Sequence, residues 1–144
     1  MKSLSLCNYF IFLMLFLSHY PLIVLAEEES NSVTVLSVKE VFSGSQFKAY
    51  FPERLSAKSI RVRGVETPKI KGLCDGEITA ALQAKQFVRY YLDNAEKIVL
   101  VDFVKEKYNK TLATVYVDDV NLANVLIYND LGKVWSGQQV DWCN

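Results

Sequence analysis

Residues 60–71 read Ile-Arg-Val-Arg-Gly-Val-Glu-Thr-Pro-Lys-Ile-Lys, and they leave the chain little conformational choice. Ile60 and Val62 alternate with Arg61 and Arg63. A period of two places the aliphatic pair on one face of a strand and both guanidinium groups on the other. Pro68 has no N–H to give to a ladder, and it disfavours helical backbone at Thr67. The spacing therefore predicts a half-buried strand over residues 59–64 that ends in a turn carrying one acid, Glu66. A basic face next to such a turn suits a phosphate group.

The flanking segments supply partners for this strand. Val33 to Val38 reads as a first strand, Gly44 punctuates a turn, and Gln46 to Phe51 reads as a second strand, which makes a three-stranded meander. Residues 74–91 read as a helix whose apolar stripe is Ile78, Ala81, Leu82, Val88 and Tyr91, widened by Ala84 and Phe87. Asp75 and Glu77 suit its first turn. Lys97 to Phe103 and Thr111 to Val117 read as a fourth and a fifth strand. Asp118-Asp119 is expected as a turn or cap before a short helix over residues 121–128 with Leu122, Val125 and Leu126 inward. Five strands with a helix between the third and fourth fit an α+β, mainly β fold: a five-stranded OB-fold Greek-key barrel with a short C-terminal helix.

Three stretches carry a resemblance. Residues 38–47 (VKEVFSGSQF), 60–69 (IRVRGVETPK) and 107–113 (KYNKTLA) match, in order and without internal gaps, the VxxVxDGDTF, IRLxGIDTPE and KYGRxLA motifs of the staphylococcal-nuclease-like (thermonuclease) family. The chain resembles that family over nearly everything after Ala26. The resemblance implies the same barrel and a centre in which two aspartates and a backbone carbonyl hold a calcium ion, a glutamate activates water, and two arginines grip the phosphate.

Position by position, this sequence departs from that pattern. Ser45 falls on one ligand aspartate and replaces a carboxylate by a hydroxyl. Glu66 falls on the other and keeps the charge on a longer side chain. Thr67 and Pro68 are retained. Lys69 falls on the general base, and an ammonium cannot accept a proton. Arg61 is retained. Lys110 falls on the second arginine and keeps charge without the bidentate fork. Tyr108 is retained as a phosphate donor. The matched metal positions, Ser45, Glu66 and Thr67, are thus expected to be vestigial and the catalytic positions Arg61, Lys69 and Lys110 degenerate. No cofactor is expected, with Ca²⁺ the ion if activity remains. A blander arrangement pairs Arg61 with Glu66 and sets Lys69 in the space of the cation.

The N-terminus sets the compartment. Lys2 precedes an apolar run over Tyr9–Leu17, a second apolar patch leads to Ala26, and Glu27-Glu28-Glu29 follows. This is the pattern of a secretory signal peptide over residues 1–26. An uncleaved anchor is the rival, because Ser18, His19 and Tyr20 interrupt the apolar region only briefly. Residues 27–32 are expected to form a flexible acidic lead and residues 33–144 the single domain. Cleavage removes His19, the chain's one histidine, and with it any histidine base or ligand. It leaves fifteen basic against sixteen acidic residues, a net charge of −1. The charge is uneven: residues 54–71 hold six basic side chains and one acid. Two cysteines remain, Cys74 and Cys143, and an even pair in an exported periplasmic or secreted protein predicts a disulfide. Asn109-Lys110-Thr111 is a glycosylation sequon in a eukaryotic secretory setting, and Trp135 is a candidate stacking surface.

These features point to an exported domain that binds single-stranded nucleic acid or nucleotides weakly and has lost efficient hydrolysis. No stable membrane association is expected once the signal is removed. The alternatives are an active calcium-dependent nuclease using Glu66 and Arg61, and a structural domain that contacts an unidentified protein.

Overall fold

The computed structural model describes residues 31–144. The expected signal peptide and positions 27–30 of the acidic lead lie outside those residues. Ser32, expected within that lead, already belongs to a strand. The elements are β1 (Ser32–Thr34), β2 (Ser37–Ser43), β3 (Gln46–Tyr50), β4 (Lys58–Val62), β5 (Val65–Glu66), α1 (Asp75–Asp93), β6 (Ile98–Lys105), a 3₁₀ turn (Lys107–Asn109), β7 (Lys110–Val117), β8 (Val120–Asn121), α2 (Leu122–Tyr128) and β9 (Lys133–Val134).

The main sheet has the order β1-β6-β7-β4-β3-β2, with β8 on β7, while β5 and β9 form a separate pair. Of its pairings, β4 with β7 is parallel and the others are antiparallel. The two edge strands, β1 and β2, are consecutive in the chain. The Val35 N–H donates to the Ile98 carbonyl at 2.9 Å and the Leu36 N–H to the Tyr50 carbonyl at 2.9 Å. Adjacent residues thus bond to opposite edges, and the sheet curls on itself. The five long strands β2, β3, β4, β6 and β7, with α1 after the third, form the OB-type α+β fold.

The first strand differs from the expectation: residues 33–38 are not one strand but two. Val35 and Val41 are buried and Val38 packs against the core. Inward residues every third position cannot lie on one face of a regular strand. The chain therefore changes partner between Val35 and Leu36, leaving Leu36 exposed, and the register shifts between Val38 and Glu40.

The core joins Phe47, Ile60, Val62, Leu100, Val115 and Val117 of the sheet to Val88 and Leu92 of α1 and Leu122 and Leu126 of α2. Two α1 positions depart from the expected stripe. Leu82 is exposed, and Leu92, beyond the expected helix end, is buried. The face that meets the sheet is set by small residues: a Cβ on Gly44, in the β2–β3 turn, would stand 2.8 Å from the Cβ of Ala84. In the short helix, Ala123 is buried while Val125 is half-buried. Asp118 and Asp119 form the turn, both with positive φ, and Asn121 supplies the cap by accepting from the Ala123 N–H at 2.9 Å. The expected disulfide is present: Cys74, the N-cap of α1, is bonded to Cys143 across 69 residues. Among the described residues no helix is long and apolar enough to cross a membrane.

Candidate functional site

Arg61 leaves β4 on the side opposite the buried Ile60 and Val62 and sits in register with Gln46 of β3. Its side chain is 40% exposed. The nearest carboxylate is not Glu66. Arg61 Nη1 lies 3.8 Å from Oε1 of Glu106, and Cζ stands 5.9 Å from the centre of the Trp135 ring. The Arg61–Glu66 pair of the blander arrangement does not form. Glu66 is carried past Arg61 because the chain turns at Arg63-Gly64, with Gly64 at φ +86°, and β5 then pairs with β9. Glu106 went unrecognised in the sequence. Its one signal is its place before the Lys107–Ala113 motif, and its backbone N–H closes that turn on the Lys110 carbonyl at 2.8 Å.

Lys110 approaches from the other side. Its Nζ donates to Gln46 Oε1 at 3.4 Å, so one β3 residue is the strand partner of Arg61 and the acceptor for Lys110. The two cations flank Gln46, both partly exposed.

Beside Arg61 opens a cleft of about 280 Å³ lined by Ser43, Ser45, Glu66, Thr67 and Lys69 among others. The Thr67 hydroxyl donates to Ser45 Oγ at 3.1 Å, and the Ser45 N–H donates to Ser43 Oγ at 3.3 Å. Glu66 Oε2 is buried without a hydrogen-bond partner. Lys69 is exposed and forms no ion pair with Glu66. Its backbone is held instead: the Lys69 N–H donates to Glu77 Oε1 at 3.2 Å, and the Leu73 N–H to Glu77 Oε2 at 2.8 Å. Glu77, read from sequence only as an acid favourable to the helix dipole, is buried and anchors the loop that presents residues 66–69.

The structure thus gathers Ser45, Arg61, Glu66, Thr67 and Lys69 around one cleft, with Lys110 at its edge through Gln46. Tyr108 is outside that group: it is 92% exposed, in the 3₁₀ turn with φ 60°, and does not line the cleft. Arg63 also turns away, its Nη2 donating to the Asp102 carbonyl at 2.6 Å. Among the described residues there is no group of three or more His, Cys, Asp or Glu side chains able to hold a metal ion.

The family model for staphylococcal nuclease homologues matches residues 59–140 of the chain. That span runs from β4 to the tail and includes every residue of the cleft except those of the β2–β3 hairpin. No curated protein matches the chain.

Proposed function

The chain belongs to the staphylococcal nuclease family, and from that premise we propose that it is an exported member that grips phosphate and single-stranded nucleic acid and has lost efficient phosphodiester hydrolysis. Nuclease-like or nucleic-acid-binding chemistry comes with the family; the loss of cleavage and the export are what we add. The observation that carries it is the pairing of Arg61 and Lys110 around Gln46 beside a cleft whose base position is an exposed lysine. Holding a phosphate requires positive charge and donors, and both cations supply them. Hydrolysis requires a group with a lone pair to take a proton from water, and the Lys69 ammonium has none.

The donor set does not suit calcium. A hard cation takes six to eight oxygens and gains affinity from their charge. Here Ser43 and Ser45 offer neutral hydroxyls, and that of Ser45 already accepts from Thr67. Glu66 is the one carboxylate lining the cleft. We therefore assign the chain no resident cofactor. One observation favours the rival reading of residual calcium-dependent cleavage: Glu66 Oε2 is buried and unpartnered, as a ligand awaiting a cation would be.

Trp135 extends the phosphate grip. It is 42% exposed and Arg61 lies over one face, so a base that stacks against the rest of its open surface sits beside the guanidinium that meets its phosphate.

The test is titration of a labelled single-stranded oligonucleotide at low and moderate salt, with a cleavage assay at added calcium. The expected result is metal-independent binding that weakens as salt rises, is lost in Arg61→Ala/Lys110→Ala, and is accompanied by no cleavage. Robust cleavage abolished by chelator and by Arg61→Ala establishes the calcium-dependent nuclease instead. Absence of binding at low salt leaves the protein-contact reading in front.

A further inference from the structure

The Gly44 turn at one end of β3 rests on α1. At the other end, where the chain leaves Tyr50 for the loop before β4, lies a second cavity of about 360 Å³. Its floor is made by Phe51, Ile60 and Leu100, all buried, with Val33 and Phe103 half-buried at its sides. None of these side chains bears a polar atom. The rim is different: Arg54, Lys58, Lys105 and Lys110 stand around it against one acid, Glu106. That acid faces Arg61. Arg54, Lys58 and Lys105 have no carboxylate within 4.0 Å among the described residues.

An apolar floor under uncompensated cations is complementary to a molecule with an apolar body and an anionic head. A nucleobase fits poorly, because its ring edges need donors and acceptors where this floor offers only carbon. Asn109 and Thr111 supply neutral polar atoms to the wall and do not change the floor. The volume lies at the lower end of the range for small-molecule sites, roughly 300–1,000 Å³, which suits a single chain and not a bilayer surface.

The geometry points to a binding site for a single-chain amphipathic anion, an acyl carboxylate of medium length, with its chain against Val33, Phe51 and Phe103 above the buried Ile60 and Leu100, and its head between Lys58 and Lys105. The site is separate from the phosphate-gripping cleft, and Lys110 and Glu106 form the wall between them. It does not rest on the nucleic-acid reading.

The experiment is calorimetric titration of the full chain with dodecanoate below its micellar concentration. Acetate serves as the head without the chain, and dodecyltrimethylammonium as the same chain with the opposite charge. Saturable binding of one dodecanoate per protein is expected, with none for acetate or for the cation. Lys58→Glu/Lys105→Glu, with its fold checked by circular dichroism, is expected to weaken dodecanoate binding by about tenfold or more. Phe103→Ser is expected to weaken it by loss of apolar contact. If the double reversal does not fold, Lys58→Ala at low salt takes its place. No saturable binding, equal binding of the cation, or an affinity unchanged by the charge variant overturns the proposal.

Discussion

A carboxylate and an ammonium fill similar space on side chains of similar length, yet they make opposite demands on a water molecule. At Lys69 the chain carries the ammonium, exposed and with its backbone fixed by Glu77. Changing one residue is therefore not expected to create a nuclease, because Ser45 lacks charge and Lys110 lacks the fork as well. The combined change Ser45→Asp, Glu66→Asp, Lys69→Glu and Lys110→Arg is expected to yield calcium-dependent cleavage that none of the single changes gives, read on a plasmid or oligonucleotide substrate. Absence of cleavage from the folded fourfold variant would show that more than these four positions is lacking. Glu106 makes an opposite prediction. It lies 3.8 Å from Arg61 in a partly exposed pair, and on the proposed phosphate grip it would compete with phosphate for that guanidinium. Glu106→Ala is expected to tighten oligonucleotide binding by about two- to fivefold, the scale of a partly solvated ion pair. Weaker binding would mean that Glu106 positions Arg61 and does not mask it.

At the scale of elements, the loop between β5 and α1 is where structure and site meet. Glu77 accepts from the N–H groups of Lys69 and Leu73 and is 5% exposed. Gly72 is needed there, because a Cβ at that position would lie 2.7 Å from Glu77 Cδ. Glu77→Ala would remove the buried carboxylate that accepts from two part-buried N–H groups and is expected to cost about 2 kcal/mol in denaturant unfolding, with a weakened oligonucleotide grip because the loop carrying residues 66–69 loses its anchor. The cap of α2 is a simpler case. Asn121→Ala removes the acceptor for the Ala123 and Asn124 N–H groups and is expected to cost about 1 kcal/mol while leaving binding intact.

For the whole molecule, the Cys74–Cys143 bond closes 69 residues of chain and pins the tail to the start of α1. Its reduction is expected to cost about 4 kcal/mol on the chain-entropy account and to lower the melting temperature, measured with and without reductant. An unchanged melting temperature would mean that the tail is held by other contacts, such as Lys133 over the Trp142 ring at 4.9 Å. Much of this architecture is local enough to be legible in sequence. Alternation over residues 60–62 determined a strand with a buried and a basic face, Gly44 and Asp118-Asp119 determined turns, and the spacing of small and apolar residues determined α1, because each depends on a few neighbours along the chain. Two of the three motif stretches, residues 38–47 and 60–69, likewise hold nearly all the residues that line the cleft, while the third reaches it only through Lys110 on Gln46. Other features depend on contacts between distant segments and were decided only by the tertiary structure. The split between β1 and β2 follows from Val35 and Leu36 bonding to opposite edges of a curled sheet. Leu82 is outside because Ala84, not a larger residue, meets Gly44. Arg61 meets Glu106 and Trp135, not Glu66, because residues 45 and 74 positions away fold back beside it while its near neighbour is turned off into β5. Side-chain partners of this kind are set by the geometry of packed strands, which no local pattern encodes.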